Sequence, residues 1–113
     1  MKPIFAYMTA SSPEEARRIG RALVEARLAA CVNIIDGMTS FYWWQGKIEE
    51  GSEAVLIAKT TRDRLDALTA KVNSLHSSSV PCVVGLAIEG GNRNFLDWIG
   101  AETQDRAATG RTP

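Results

Sequence analysis

Hydrophobic positions along this chain recur at two spacings, every second residue and every third to fourth, and the changes between them mark out its elements. Residues 4–9 read as a first strand. In Ser12-Pro13-Glu14-Glu15, Ser12 suits a helix N-cap, Pro13 the first helical position, and Glu15 completes a capping box. Ala16, Ile19, Leu23 and Ala26 then share one stripe while Arg17, Arg18, Arg21 and Glu25 fall off it, which predicts an amphipathic helix ending near Leu28-Ala29. A second helix, from about Arg62, carries Leu65, Leu68, Val72 and Leu75 on one side, and His76 with three serines breaks it. Pro81 opens a last strand over residues 82–88. Asn92 or Asn94 caps a short third helix, 95–99, that Gly100 ends.

Between the two longer helices lies the most extended stretch. Gln45-Gly46 fits a two-residue turn, because glycine tolerates the positive φ that a tight hairpin demands, and apolar or β-branched residues flank it on both sides. Residues 31–59 thus form one hairpin. Each arm has about 13 residues, so at a rise of about 3.3 Å it runs roughly 43 Å, whereas typical strands have about 5–6 residues. A compact chain of this size has a radius of gyration near ~13 Å and is about 35 Å across, so the tip is expected to project. Asp36-Gly37 is a hairpin signal in its own right, but a turn there would make Phe41 to Trp44 pair twice within one small sheet, and a bend or bulge at Gly37 fits better. Successive strand residues face opposite sides, so Phe41, Tyr42, Trp43 and Trp44 put rings on both faces, and the apolar run 54–58 asks for cover on both. A partner subunit, most simply an identical one, is expected to supply it.

The order βαββαβ plus a short C-terminal helix is α+β, with helices on one face of an antiparallel sheet in the split βαβ or ferredoxin-like arrangement. Residues 1–101 form the single domain, and 102–113 read as a frayed tail. With 113 residues and 45% of them hydrophobic, the chain is large enough to bury one core. Thirteen basic residues balance thirteen acidic ones without a long run of either, which argues against nucleic acid and anionic membrane as partners. No run reaches transmembrane length, and the first residues lack the apolar core and cleavage site of a secretory signal. Two cysteines in a chain with an adequate core are expected to stay reduced, in the cytoplasm.

Several motifs together carry a resemblance: Ala30-Cys31-Val32-Asn33-Ile34-Ile35, Thr39-Ser40, Tyr42-Trp43-Trp44-Gln45-Gly46-Lys47-Ile48, Lys59-Thr60, Leu75-His76, Val80-Pro81 and Trp98-Ile99. The chain resembles the CutA divalent-cation-tolerance family over roughly residues 4–100. That resemblance implies a PII-like homotrimer in which extended hairpins reach across to neighbouring subunits, and a role in tolerance of copper and other divalent ions. A PII-like sensor or signalling scaffold without metal chemistry is the alternative it implies.

The candidate chemistry is sparse. Cys31 matches the family cysteine; as a thiolate it would suit soft ions such as copper, and as a thiol in an apolar strand it would be a small buried hydrophobe. His76, the only histidine, either binds metal through a neutral imidazole or closes the second helix. Where the family commonly reads His-Pro-Tyr-Glu-Val-Pro-Glu, this chain reads His76-Ser77-Ser78-Ser79-Val80-Pro81-Cys82, so a tyrosine and two carboxylates are missing. The pocket is then expected to be more open and less acidic, with Cys82, joined by Cys31 or His76, favouring copper or zinc over magnesium or calcium. Lys59, Glu53 and Tyr42 are the further pocket candidates, with Lys59 meeting an anionic group or snorkelling to water. Phe41, Trp43, Trp44 and Trp98 are expected at subunit interfaces, where large aromatics concentrate. No nucleophile with an oriented base is visible, so catalysis is not expected.

Overall fold

The computed structural model describes residues 2–104. In chain order they form β1 (Pro3–Ala10), α1 (Pro13–Glu25), β2 (Cys31–Trp44), β3 (Lys47–Thr61), a 3-10 turn (Arg62–Arg64), α2 (Leu65–Leu75), β4 (Val83–Ala87) and α3 (Arg93–Glu102). The sheet order is β2-β3-β1-β4 with every pair antiparallel, which is the ferredoxin-like topology the sequence predicts.

Alternation along β1 decides which face is dry. Ile4, Ala6, Met8 and Ala10 are buried, while Phe5, Tyr7 and Thr9 between them are not. Ala6, Met8 and Ala10 join Leu56 and Ala58 of β3 in a cluster with Ala16, Ile19 and Leu23 of α1 and Leu68 and Val72 of α2. Both helices therefore seal one face. Small residues let them sit close: a Cβ on Gly20 would stand 3.3 Å from Val32, and one on Gly85 would stand 2.8 Å from Leu65. Ile99 of α3 is fully buried, and Arg27 ties that helix to the end of α1 through an ion pair of 2.6 Å with Glu102.

The hairpin is continuous and turns at Gln45-Gly46, both at positive φ (51° and 80°), as a two-residue turn matched to strand twist requires. The register shifts between Ile35 and Met38, where Gly37 takes φ 80° and its N–H donates to the Asp36 carboxylate at 2.7 Å. Asp36-Gly37 is thus a bulge. The hairpin lengthens the molecule to 53 × 28 × 21 Å, with a radius of gyration of 15.1 Å. Its tip projects as predicted.

Several boundaries differ from the sequence reading: α2 starts at Leu65, after the 3-10 turn, rather than at Arg62, and α3 starts at Arg93. α1 stops at Glu25, with Ala26 exposed, because Arg27 takes φ 62° and the N–H groups of Leu28 and Ala29 fold back on the Leu23 carbonyl. α3 runs past Gly100 to Glu102, capped by the Asn92 side chain on the Asn94 N–H at 3.0 Å. Of the expected tail, residues 105–113 lie outside the described residues.

Candidate functional site

The sheet face opposite α1 and α2 carries a cleft of about 670 Å³ at its hairpin end. Its floor follows from strand parity: Tyr7 and Thr9 of β1 point away from the core, and the bulge sets Met38 of β2 opposite Glu53 of β3 on the same side. Tyr42, with the other tip aromatics, forms one wall, and the segment from His76 to Cys82 forms another. The Tyr7 hydroxyl donates to the Met38 sulfur at 3.6 Å, which ties β1 to the bulge.

The segment joining α2 to β4 hangs on one buried carboxylate. Ser12 Oγ accepts from the Glu15 N–H at 3.1 Å, the first half of a capping box. The second half departs from the expected form. Glu15 Oε1 accepts from the Ser11 N–H (2.9 Å) and hydroxyl (2.8 Å), and Oε2 accepts from the Ser77 N–H at 2.7 Å. Burial pushes this carboxyl up, but those hydrogen bonds outweigh it and hold its pKa at about 2. Arg18 adds a charge 3.8 Å from Oε2.

His76 follows α2 as its C-cap through its backbone N–H on the Val72 carbonyl, while its side chain is almost fully buried and its ring is bonded elsewhere. Nε2 lies 2.8 Å from the Thr9 carbonyl, and Nδ1 accepts the Ser78 N–H at 2.9 Å. Both ring nitrogens are occupied by backbone, so the ring as held has no lone pair to offer an ion.

Cys82 lines the cleft as a free, half-buried thiol. Burial pushes its pKa up and the charge of Glu53 pushes it further. Cys31 stands apart at the start of β2, paired across with Lys59. Lys59 lies 5.7 Å from the Phe5 ring centre and does not line the cleft either. Of the predicted site residues, the fold therefore gathers Cys82, His76, Glu53, Tyr42, Phe41, Trp43 and Trp44, and separates Cys31, Lys59 and Trp98. Trp98 stacks on Phe95 in α3 at 5.7 Å. Sequence reasoning missed Tyr7, Thr9, Met38 and Glu15; alternation with buried Met8 and Ala10 was the available signal for the first two.

Divalent ions need several convergent donors, and among the described residues no three His, Cys, Asp or Glu side chains come together. Among the described residues, Cys82 and Glu53 are the cysteine and the carboxylate that line this cleft.

The family model of the CutA1 divalent ion tolerance protein matches residues 4–102. The chain belongs to the CutA1 family. It is 49% identical over 96 residues to the divalent-cation tolerance protein CutA of Thermus thermophilus, covering 85% of this chain and 93% of that one. The chloroplastic protein CutA 1 of Oryza sativa is 41% identical over 102 residues, and the chain spans 58% of its length. Among solved structures, the Thermus thermophilus tolerance protein superposes with a TM-score of 0.88 at 46% identity, covering 90% of this chain and 99% of that one. Oryza sativa CutA1 gives 0.90 at 40% identity, covering 93% and 96%. The family model and the Thermus thermophilus relative are both named for tolerance of divalent ions.

Proposed function

We propose that this CutA1 chain works as a homotrimer in cation tolerance, and that a copper or zinc ion binds at the junction between subunits through Cys82 and Glu53, with the remaining donors supplied by a neighbouring copy. The observation that carries this is the pairing of an incomplete donor set with an uncovered apolar face: Cys82 and Glu53 share a cleft, and beside it Ile35, Val84 and Leu86 are each at least half exposed. The exposed tip rings of Phe41, Trp43 and Trp44 suit contact with a second copy, as does Trp98. A thiolate favours soft ions, and because the Cys82 thiol is held protonated, binding releases a proton. Cys31 remains a second soft donor on the same sheet face, and Lys59 beside it would meet an anionic group of the partner.

Catalysis forms no part of this proposal: His76 is committed to backbone and gives Cys82 no base. Among the described residues no helix is long and apolar enough to cross a membrane, and two free thiols fit a reducing cytoplasm; nucleic acid and membrane are not proposed as partners. The aromatic wall of the cleft supports a second reading, a PII-like sensor that binds a small organic ligand there.

Native mass spectrometry of the reduced protein, with Cu(I), Cu(II) and Zn(II) added in turn, tests the proposal. A trimer that retains ions, and loses them in Cys82→Ser, is the expected result. A trimer that stays empty turns the reading to the sensor, and a monomer overturns it.

A further inference from the structure

Two consecutive amides hold the segment 77–82 at its start, and they go to different acceptors. The Ser77 N–H goes to Glu15 Oε2 at 2.7 Å, and the Ser78 N–H goes to His76 Nδ1 at 2.9 Å. The second bond exists in one protonation state only. Nε2 faces a carbonyl, which can only accept, and Nδ1 faces an N–H, which can only donate, so the ring must carry its one proton on Nε2. Beyond Ser78 the segment's own bond is local, from the Val80 N–H to the Ser78 hydroxyl at 3.1 Å. The stretch 78–81 is otherwise exposed or half-buried, and with Cys82 it walls the cleft.

We infer that His76 is a proton-operated latch on this wall: a proton taken from solvent onto Nδ1 removes the acceptor of the Ser78 N–H, sets two N–H groups against each other, and frees 78–81 while Ser77 stays tied to Glu15. A partner for the new N–H already stands by, since Glu15 Oε2 is 4.0 Å from Nδ1. The charged and titratable groups around the ring come from each neighbouring element. α1 contributes Glu15 and Arg18, whose guanidinium also reaches the Leu75 carbonyl at 3.3 Å. β3 contributes Glu53 across the cleft, and the segment itself contributes Cys82. β1 contributes only the Thr9 carbonyl and Ser11, and the last turn of α2 carries no basic residue. An imidazole carries one ring proton or two, and only the ring with a bare Nδ1 can accept the Ser78 N–H. It is independent of what the cleft binds, and its test uses no added ion.

The experiment is an NMR titration of the ¹⁵N-labelled full chain, free of metal, from pH 8 to 5. It follows the ring nitrogens of His76 and the amides of Ser77 and Ser78. The expected result is that the Ser78 amide shifts with the same midpoint as Nδ1, and that its exchange protection, corrected for intrinsic rates, falls about tenfold while that of Ser77 is kept. A Ser78 amide that ignores the ring's titration overturns the latch, as does a ring that remains neutral to pH 5, or release of both amides together. His76→Gln offers Ser78 an oxygen that takes no proton, so its Ser78 amide should be flat across the range; a persisting transition there would also sink the idea.

Discussion

On β1 the side chains of Ala6, Met8 and Ala10 are sealed beneath α1 and α2, whereas Phe5, Tyr7 and Thr9, each one residue away, stand on a face those helices do not reach. The contrast continues across the strands. Leu56 and Ala58 are fully buried, while Val84 and Leu86 remain at least half exposed on the open side. Both faces are apolar, yet only one is covered within the chain. Burial, not composition, separates the core from the open face, and the polar groups follow the same division: Glu15, on the helix side, is over-supplied with hydrogen bonds, and Cys82, on the open side, has the charge of Glu53 working against its thiolate.

The sharpest way to break this contrast is to damage each face in turn. Leu56→Ala empties a fully buried position on the helix side and should cost about 2–5 kcal/mol in denaturant unfolding at any protein concentration. Leu86→Asp charges an exposed position on the open side. It should shift the light-scattering mass of the proposed trimer towards monomer, weakening association about a hundredfold or more, while the separated chain unfolds within about 0.5 kcal/mol of its parent. An assembly indifferent to Leu86→Asp would mean that the open face is not an interface.

The fold was legible where local chemistry and long-range packing agree. Gln45-Gly46 marked the turn because a positive φ leaves few alternatives to glycine, and the helix stripes named Leu23, Leu68 and Val72 as core. α1's end was not legible: the left-handed residue is Arg27, where glycine is the usual signal, and what accompanies it is an ion pair 75 residues away with Glu102. The same limit applied to the cleft. Glu15 looked like a cap and is one, but its second task is to hold Ser77, 62 residues on, and no local spacing encodes that. Cys31 and Lys59 sat in motifs as distinctive as the tip aromatics, yet their register places them beside each other at the far end of β3 from Glu53.

Glu15 gives the contrast a pH dependence. Its carboxyl has a pKa of about 2 in the fold against 4.5 when free, so the folded state binds its proton less well than the unfolded state. The stabilisation is therefore complete above about pH 4.5 and disappears as pH falls towards 2. The shift corresponds to at most about 3 kcal/mol. Glu15→Gln should remove most of this at pH 7 and flatten the acid limb of the unfolding curve between pH 4.5 and 2. An acid limb unchanged in the variant would show that another carboxylate sets it.

The smallest effect belongs to the open side, and it tests whether Glu53 and Cys82 act on each other. Burial is the larger cause of the raised thiol pKa and Glu53's charge the lesser, so Glu53→Gln should bring the Cys82 pKa down only part of the way. The readout is the pH profile of thiol alkylation in a Cys31→Ser background, which leaves Cys82 as the reporter. The full shift returning on removal of Glu53 would make charge the dominant cause and the thiol better solvated than its position suggests. No shift at all would separate the two residues and remove Glu53 from any shared donor set. A partial shift keeps both causes, and then an arriving cation has a double effect: it neutralises Glu53's repulsion and takes the place of the thiol proton.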